Sequence, residues 1–315
     1  MTNLAGNRKI GILGIPLGYG AGQIGSELGP GAMRATRLRG KFLIEALTEL
    51  GYEVTDHGDV PVVNIERTAS PGENPRYLDE MLRSCHAIKA ALDPILADGQ
   101  TPIILGGDHS IAIATFSTMA AFHRQKGEEL GLIWFDAHAD INTPETTPSG
   151  NIHGMPLATL MGAGHPELVE LFGFSPKLDP KYFVHIGARD VDPGEREMVH
   201  AMGLKDNFLT MCDIDRQGML ACVEKALDIV SKASGGFAVT FDIDVIDPTF
   251  APGSGTLVRG GANYREAHLA LEVIAEHGGL RSFEIVEVNP LLDQSNITVQ
   301  LGCELILSAL GKTIL

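Results

Sequence analysis

Short apolar runs alternate with longer stretches of helical spacing along most of the chain. Each run is rich in β-branched and aromatic residues, and the six runs are KIGILGIP, TPIILGGDH, LGLIWFDAHAD, YFVHIGARD, GFAVTFDID and LRSFEIVEVNP. Nearly continuous apolar runs are typical of strands covered on both faces. Their alternation with helices predicts an α/β fold with a parallel sheet. Polar residues concentrate at the C-terminal ends of the runs, where open α/β sheets bind ligands.

The stretches between the runs predict seven helices. Pro30 lies near the first turn of the first helix, and Gly99 follows the second as a C-cap. The predicted ranges are 30–50, 75–98, 110–125, 194–202, 216–231, 263–277 and 297–310. The Pro- and Gly-rich segment 142–156 is too polar for core and predicts a functional loop. Because no internal repeat divides the chain, we expect a single domain over residues 1–315.

Composition narrows the classes of partner. The chain has 24 Lys and Arg against 40 Asp and Glu, a net charge of −16. This charge disfavours nucleic acid and anionic membranes and permits cationic ligands, although many acidic proteins are acidic only for solubility. The four cysteines form no CxxC pair and are expected to be reduced and buried. The start has no signal-peptide run and no segment approaches the ~18–20 apolar residues of a membrane span, so we expect a cytoplasmic location.

Potential metal ligands follow three of the predicted strands. They are His109 in GGDHS, Asp136, His138 and Asp140 in FDAHAD, and Asp242 and Asp244 in FDID. In an extended backbone, positions i, i+2 and i+4 share one face, so the side chains of each group would converge. A single aspartate at a strand end is more commonly a helix N-cap or a turn residue. Four clustered carboxylates, however, would repel one another by several kcal/mol at an effective dielectric of ~20 unless cations lay among them.

The ligand types indicate the metal and the reaction class. Oxygen-rich sites with imidazole and no thiolate favour Mn²⁺ or Mg²⁺, with Co²⁺, Fe²⁺ and Zn²⁺ as alternatives. Two divalent ions would cancel the charge of four carboxylates. Two ions ~3.5–4 Å apart can share a water and lower its pKa. The sequence therefore predicts metal-assisted hydrolysis.

Five motifs in order carry a family resemblance: GGDHS, DAHADINT with SGNIHGMP, RDVDPGE, DIDVIDPTFAPGSGT and EVNP. From about Lys9 to the C-terminus the chain resembles the ureohydrolases, and within them the arginases. The resemblance implies a three-layer α/β/α fold with a central, mostly parallel sheet, and a homotrimer or homohexamer. It implies two Mn²⁺ per subunit, with Co²⁺, Fe²⁺ or another divalent metal as alternatives. The implied reaction is hydrolysis of the guanidinium group of L-arginine to L-ornithine and urea.

The resemblance divides the six ligands between two sites that share a pair of carboxylates. The first site would comprise His109, Asp136, Asp140 and Asp242. The second would comprise His138 and Asp244 with the same bridging Asp136 and Asp242.

The resemblance also implies residues that bind the substrate. The α-carboxylate would meet the uncharged donors Asn142, Ser149 and Asn151. The α-amino group would meet Asp192, directly or through water, with Asp190 and Glu195 close by. The guanidinium would pair with Glu287, beside Thr256.

Three residues are implied as catalytic. Glu287 would hold the guanidinium, and Asp140 would move a proton to the departing nitrogen of ornithine. His153 would act as a proton shuttle, since an ordinary histidine pKa of ~6.5 allows both protonation states. Outside the family, a histidine such as His153 in a polar loop is more commonly a solvated surface residue.

Two residues depart from the family pattern. Val245 and Leu257 stand where arginases favour Gly and Pro, and they would either narrow the pocket or repack its wall.

Alternative functions are separated by substrate and by metal binding. Another ureohydrolase would act on agmatine, guanidinobutyrate or a different guanidino acid, and a silent homologue would bind metal without turnover. The intact ligand set disfavours the silent homologue.

A glycine motif near the start resembles a dinucleotide-binding fingerprint, because Gly20, Gly22 and Gly25 spell GxGxxG. In that fingerprint the glycines open the helix that holds the dinucleotide, but here the next predicted helix begins about five residues too late. We therefore expect a loop beside the active site instead.

Overall fold

The structure, a computed structural model, describes residues 9–63, 65 and 73–314. The first eight residues, where no signal peptide is expected, lie outside this part of the chain.

One eight-stranded sheet organises the described residues. The strands of the chain are β1 (Lys9–Ile15), β2 (Arg37–Leu38), β3 (Lys41–Phe42), β4 (Glu53–Asp59), β5 (Thr101–Gly106), β6 (Gly131–Phe135), β7 (Phe183–Ile186), β8 (Phe208–Leu209), β9 (Phe237–Asp242) and β10 (Leu280–Val286). The order in the large sheet is β4-β1-β5-β10-β9-β6-β7-β8, and every neighbouring pair is parallel. Strands β2 and β3 form a separate antiparallel pair.

The six predicted strands are confirmed, and the two strands of the large sheet that the apolar pattern missed lie at its edges. Strand β4, EVTDHGD, is mostly exposed, so it lacks the apolar signature of a covered strand. Strand β8 has only two residues. Edge strands face solvent on one side and therefore carry weaker hydrophobic patterns.

Eleven α-helices are found among the described residues. They are α1 (Gly29–Ala35), α2 (Leu43–Glu49), α3 (Leu78–Ala97), α4 (Ala112–Gln125), α5 (Pro156–Leu160), α6 (Pro166–Val169), α7 (Pro193–Ala201), α8 (Met211–Gln217), α9 (Met219–Val230), α10 (Tyr264–His277) and α11 (Ile297–Ala309). Helix α10 begins with a capping box, in which Asn263 Oδ1 accepts from the Glu266 amide at 2.9 Å and Glu266 Oε2 accepts from the Asn263 amide at 2.8 Å. Within this part of the chain, no helix has the length and apolar character to cross a membrane.

Two predicted helices are broken by positive backbone angles. The range 30–50 is wrong as one helix, because Arg39 and Gly40 turn the chain at φ 50° and 89° and place the β2–β3 pair between α1 and α2. The range 216–231 is interrupted at Gly218, whose φ of 84° separates α8 from α9. Glycine adopts such angles without steric penalty, so a helical pattern can run across a break.

Alternating side chains of the strands build a hydrophobic core on each face of the sheet. On β6, Ile133 and Phe135 join a buried cluster with α1, α2 and α8 to α11. Leu132 and Trp134 join a second cluster with α3 to α7. The three-layer α/β/α prediction is confirmed.

The cysteine prediction is correct for three of the four residues. Cys85, Cys222 and Cys303 are buried and free, as expected. Cys212 is exposed, because it lies in the first turn of α8 on the outer side of that helix. The prediction that it is a core residue is wrong.

Close backbone contact between two loops shapes the end of the sheet that carries the predicted ligands. The Asp108 amide donates to Leu17 O at 2.7 Å, which joins the loop after β5 to the loop after β1. A Cβ atom placed at Gly107 would lie 1.8 Å from Leu17 O. Only glycine therefore fits at this position without backbone movement.

Substitution of Gly107 by alanine tests this contact. Because the clashing atom is backbone, we expect Gly107→Ala to lose about 1–3 kcal/mol of unfolding free energy. The measurement is thermal unfolding followed by circular dichroism. The control is Gly31→Ala in α1, where an added Cβ meets nothing within 4 Å and helix propensity favours alanine. Equal melting temperatures for the two variants would contradict the close-contact argument.

Candidate metal centre

A buried imidazole nitrogen faces three carboxylates at the C-terminal ends of β5, β6 and β9. His109 Nδ1 lies 3.1 Å from Asp136 Oδ2, 3.2 Å from Asp140 Oδ2 and 3.2 Å from Asp242 Oδ2. All four side chains are almost completely buried. The sheet order makes this possible, because the ends of these strands meet on either side of β10.

A second cluster shares one aspartate with the first. His138 Nδ1 lies 3.4 Å from Asp136 Oδ1 and 3.1 Å from Asp244 Oδ2. Asp136 therefore directs one carboxylate oxygen to each histidine. Ions held at the two clusters would therefore share this carboxylate. Asp242 faces the first cluster through Oδ2, while its Oδ1 accepts from the Asp244 amide at 2.9 Å.

The backbone that brings the ligands together is not the extended one that the sequence predicted. Strand β6 ends at Phe135, so Asp136, His138 and Asp140 do not lie on one extended face as predicted. Asp140 instead reaches the first cluster from a left-handed conformation at φ 52°. Non-glycine residues adopt this region at a cost, and aspartate is among those that tolerate it. Asp244 lies in a short 3-10 turn that directly follows β9.

Hydrogen bonds fix which nitrogen of His109 faces the carboxylates. Thr240 Oγ1 donates to Glu284 Oε1 at 2.8 Å, so its oxygen is left to accept from His109 Nε2 at 2.9 Å. Thr115 donates to the other oxygen of Glu284 at 2.7 Å. In the neutral imidazole, Nδ1 therefore carries the lone pair, and this lone pair faces the three carboxylates.

This arrangement fits a metal ion. A nitrogen lone pair and three carboxylate oxygens repel one another unless a cation lies between them. Without a cation, burial and then the charge of Asp136 raise the pKa of Asp140 to about 6. Burial and the charges of Asp244 and Asp136 likewise raise the pKa of Asp242 well above its usual range. Divalent cations would relieve this crowding.

Residues around the two clusters hold Asp136 in place. Trp134 Nε1 donates to Asp136 Oδ2 at 2.9 Å, and the indole stacks on the His109 ring with centroids 4.3 Å apart. The His138 amide donates to Asp136 Oδ1 at 2.7 Å. Such partners orient metal-binding side chains.

A cleft of about 120 Å³ opens above the clusters. Its lining includes three of the predicted metal ligands, His138, Asp140 and Asp242. It also includes six of the other predicted residues, Asn142, Ser149, His153, Asp192, Glu195 and Thr256. Thr256 Oγ1 donates to Asp244 Oδ2 at 2.9 Å.

Glu195 holds two parts of the cleft together. Its Oε1 accepts from the Ile141 amide at 3.2 Å, and its Oε2 accepts from the Asp192 amide at 2.9 Å in the capping box of α7. Asn142 Nδ2 donates to Asp192 Oδ2 at 3.2 Å. Burial, with a contribution from the charge of Asp140, raises the pKa of Glu195 to about 7. Both oxygens of Glu195 are thus engaged by backbone.

Three of the predicted substrate-binding residues lie outside the lining of this cleft. Asp190 is exposed, and its amide donates to Ala137 O at 3.0 Å. Asn151 is half-buried, and its Oδ1 accepts from Arg76 Nη1 at 3.2 Å. Glu287 is buried behind the cleft wall at φ 60°.

Glu287 is joined to His153 and to the first cluster. Glu287 Oε1 lies 3.1 Å from His153 Nδ1 and accepts from the His109 amide at 2.9 Å. Burial alone would lower the pKa of His153, but the hydrogen bond and charge of Glu287 raise it to about 9.

Two residues of the site escaped the sequence argument. Asp108 is buried and accepts from the Ser110 amide at 3.0 Å and the Ala21 amide at 3.2 Å. It thereby fastens the glycine-rich loop to the ligand segment. Its position next to His109 in GGDHS was the sequence feature from which its place in the site could have been predicted.

The second is Arg189, whose five N–H donors meet five backbone carbonyls. The acceptors are those of Gly187, Asp244, Val245, Val258 and Arg259, at 2.7 to 3.3 Å. Arg189 therefore clamps the Asp244 turn to the segment after Thr256. The arginine of RDVDPGE was a signal, but four of its five acceptors lie 55 to 70 residues away in sequence.

The two departures from the family pattern do not narrow the cleft. Val245 is buried in the core, where its Cγ2 would lie 2.4 Å from a Cβ at Gly187. Leu257 is 42% exposed and is not part of the lining. Of the two alternatives, the structure favours changed packing away from the cleft over a narrower pocket.

The glycine-rich loop lies beside the site, as expected. The His153 amide donates to Gly20 O at 3.2 Å, and a Cβ at Gly20 would lie 2.5 Å from Ser110 Oγ. Helix α1 begins only at Gly29.

Comparisons with known proteins identify the family of the chain. The model of the Arginase family matches residues 8–311. The arginase of Bacillus caldovelox is 41% identical over 98% of this chain and 100% of its own length, and that of Bacillus subtilis (strain 168) is 43% identical over the same shares. The solved native structure of the Bacillus caldovelox arginase has a TM-score of 0.90 at 41% identity and covers 98% of this chain and 99% of that one. A solved Bacillus subtilis arginase has a TM-score of 0.87 at 42% identity, with 98% and 100% covered. This chain belongs to the arginase family.

Proposed function

We propose that this chain hydrolyses the guanidinium group of L-arginine to L-ornithine and urea, using two divalent metal ions. The observation that carries the proposal is the position of Asp136 between two histidine–carboxylate clusters beneath a cleft. The relatives named arginase, at 41% and 43% identity over 98% of the chain, support the same reaction.

We assign the ligands as the family pattern implies. His109, Asp136, Asp140 and Asp242 would hold one ion, and His138, Asp244, Asp136 and Asp242 would hold the other. Manganese is the preferred metal because the donors are oxygen and imidazole nitrogen without thiolate, and Co²⁺ or Fe²⁺ are alternatives. When bound, the ions would lower the pKa of a shared water and so supply a nucleophile at neutral pH.

The protein side chains would then position the substrate and move its protons. Glu287 would pair with the guanidinium, as a carboxylate pairs with a cation. Asp140 would pass a proton to the departing nitrogen of ornithine. His153 would exchange protons with solvent, and its contact with Glu287 supports a position near the reacting group.

The other end of the substrate would bind to the outer part of the cleft. Ser149 and Asn142 would contact the α-carboxylate with Asn151, and Asp192 would contact the α-amino group. Glu195 would act by holding Asp192, since both of its oxygens are engaged by backbone amides. Asp190, which is exposed, would attract the α-amino group by its charge without direct contact.

The family resemblance alone implies the state of assembly. We propose a homotrimer or homohexamer in the cytoplasm.

Removal and return of metal tests the reaction. Enzyme treated with chelator should release no urea from L-arginine, and added Mn²⁺ should restore release, because the nucleophile depends on the metal. Asp136→Ala and His109→Ala should stay inactive after Mn²⁺ is added. Agmatine serves as the second substrate. Urea release from agmatine with none from arginine would overturn the substrate assignment, and a chain that binds no Mn²⁺ by calorimetry would indicate a silent homologue.

Replacement of His153 tests the proton shuttle. His153→Asn should lower kcat by about 10²-fold, the lower end of the range for losing a general acid or base, with little change in KM. Steady-state urea release measured across pH gives both parameters. Wild-type behaviour at every pH would exclude a shuttle role for His153.

Replacement of Thr240 tests the hydrogen bonds behind His109. Thr240→Val removes the group that accepts from Nε2, so Mn²⁺ affinity should fall about 10- to 100-fold. Calorimetric titration of metal-free protein is the measurement. Thr118→Val is the matched control, because Thr118 is also buried but donates to Ala114 O within α4. Equal Mn²⁺ affinity in the two variants would argue against the orienting role.

A further inference from the structure

The segment before α3 contacts the loop that bears Ser149. The Arg76 amide donates to Gly150 O at 2.9 Å, and Asn74 Nδ2 donates to Pro144 O at 2.5 Å. Gly150 has a φ of 75°, and a Cβ there would lie 3.3 Å from Glu73 O. These contacts hold residues 73–77 beside the outer end of the cleft.

The side chain of Arg76 determines how the amide of Asn151 is presented. Arg76 Nη1 donates to Asn151 Oδ1 at 3.2 Å. The carbonyl end of the Asn151 amide is therefore engaged, and its NH₂ end remains to donate. The NH₂ nitrogen lies 3.2 Å from the position of a Cβ at Gly22, so the amide sits between Arg76 and the glycine-rich loop. A carboxylate accepts hydrogen bonds from an NH₂ group and is repelled by a carbonyl oxygen, so this orientation matters for an anionic ligand group.

Charge makes Arg76 distinctive at this end of the cleft. The described lining of the cleft contains the carboxylates of Asp140, Asp192, Glu195 and Asp242 and neither lysine nor arginine. A substrate carboxylate entering such a cleft would be repelled. Among the described residues, the hydrogen-bond partner of the Arg76 guanidinium is the neutral amide of Asn151, and no carboxylate lies within ion-pairing distance of it.

We infer that Arg76 is a positioning residue that favours substrates with an α-carboxylate. It does so by presenting the Asn151 NH₂ group and by adding positive charge at the outer end of the cleft. The inference rests on the proposed function, since it concerns the end of the substrate opposite the guanidinium. It separates arginine from guanidino compounds that lack the carboxylate.

The test compares two substrates that differ only at the carboxyl group. Arg76→Ala is assayed with L-arginine and with L-argininamide, which keeps the guanidinium and the α-amino group. KM for arginine should rise roughly two- to fivefold, as expected for the loss of one exposed charge, while kcat stays the same. KM for argininamide, or its inhibition constant against arginine, should stay the same or fall. Arg76→Lys, which keeps the charge without the directed donor, should give an intermediate KM that increases with salt.

The control is Arg83→Ala. Arg83 lies on α3, is exposed and pairs with Glu80 at 3.2 Å, so its removal changes the net charge equally without touching Asn151. In Arg83→Ala, the ratio of the KM for arginine to the KM for argininamide should equal the wild-type ratio. Equal changes for both substrates in Arg76→Ala, or no change in either, would overturn the inference and leave the proposed function standing. If the wild-type enzyme released no urea from arginine, the proposed function would be wrong, and the inference would be wrong with it.

Discussion

Mutual repulsion among four buried aspartates is the constraint around which this end of the molecule is organised. Asp136, Asp140, Asp242 and Asp244 come from two strand ends, converge on two histidines and are all buried. Taking such charges out of water costs several kcal/mol per ion unless opposite charge accompanies them. The fold therefore gathers groups that are stable together only when cations lie among them, and the same cations would provide the hydrolytic chemistry.

The surrounding residues keep this unfavourable cluster from relaxing. The Thr240–Glu284 pair sets the tautomer of His109, and the Arg189 guanidinium holds the turn that carries Asp244 through backbone carbonyls. Asp140 and Glu287 both remain at positive φ, which the packed layers on either side of the sheet must hold in place. These contacts favour the arrangement of side chains that would hold the ions. Preorganisation of this kind lets binding energy act on the metal and substrate rather than on rearranging the protein.

Much of this could be predicted from sequence because the strands are covered on both faces. Their continuous apolar runs located the six central strands, and the polar residues directly after them located the candidate ligands. Contacts between residues far apart in sequence could not be read in this way. The backbone clamp of Arg189, the link from Asp108 to the loop at Ala21 and the contact of Arg76 with Asn151 all depend on folding. Local patterns also failed where a positive φ interrupts a helical stretch, as at Gly40 and Gly218, and where edge strands such as β4 face solvent.

X-ray diffraction at the manganese absorption edge, from crystals grown with Mn²⁺, tests the electrostatic claim most directly. The account predicts two anomalous peaks on either side of the Asp136 carboxylate, one next to His109 Nδ1 and the other next to His138 Nδ1. Crystals without anomalous peaks at these positions, in which the aspartates turn away from one another around ordinary solvent, would contradict it.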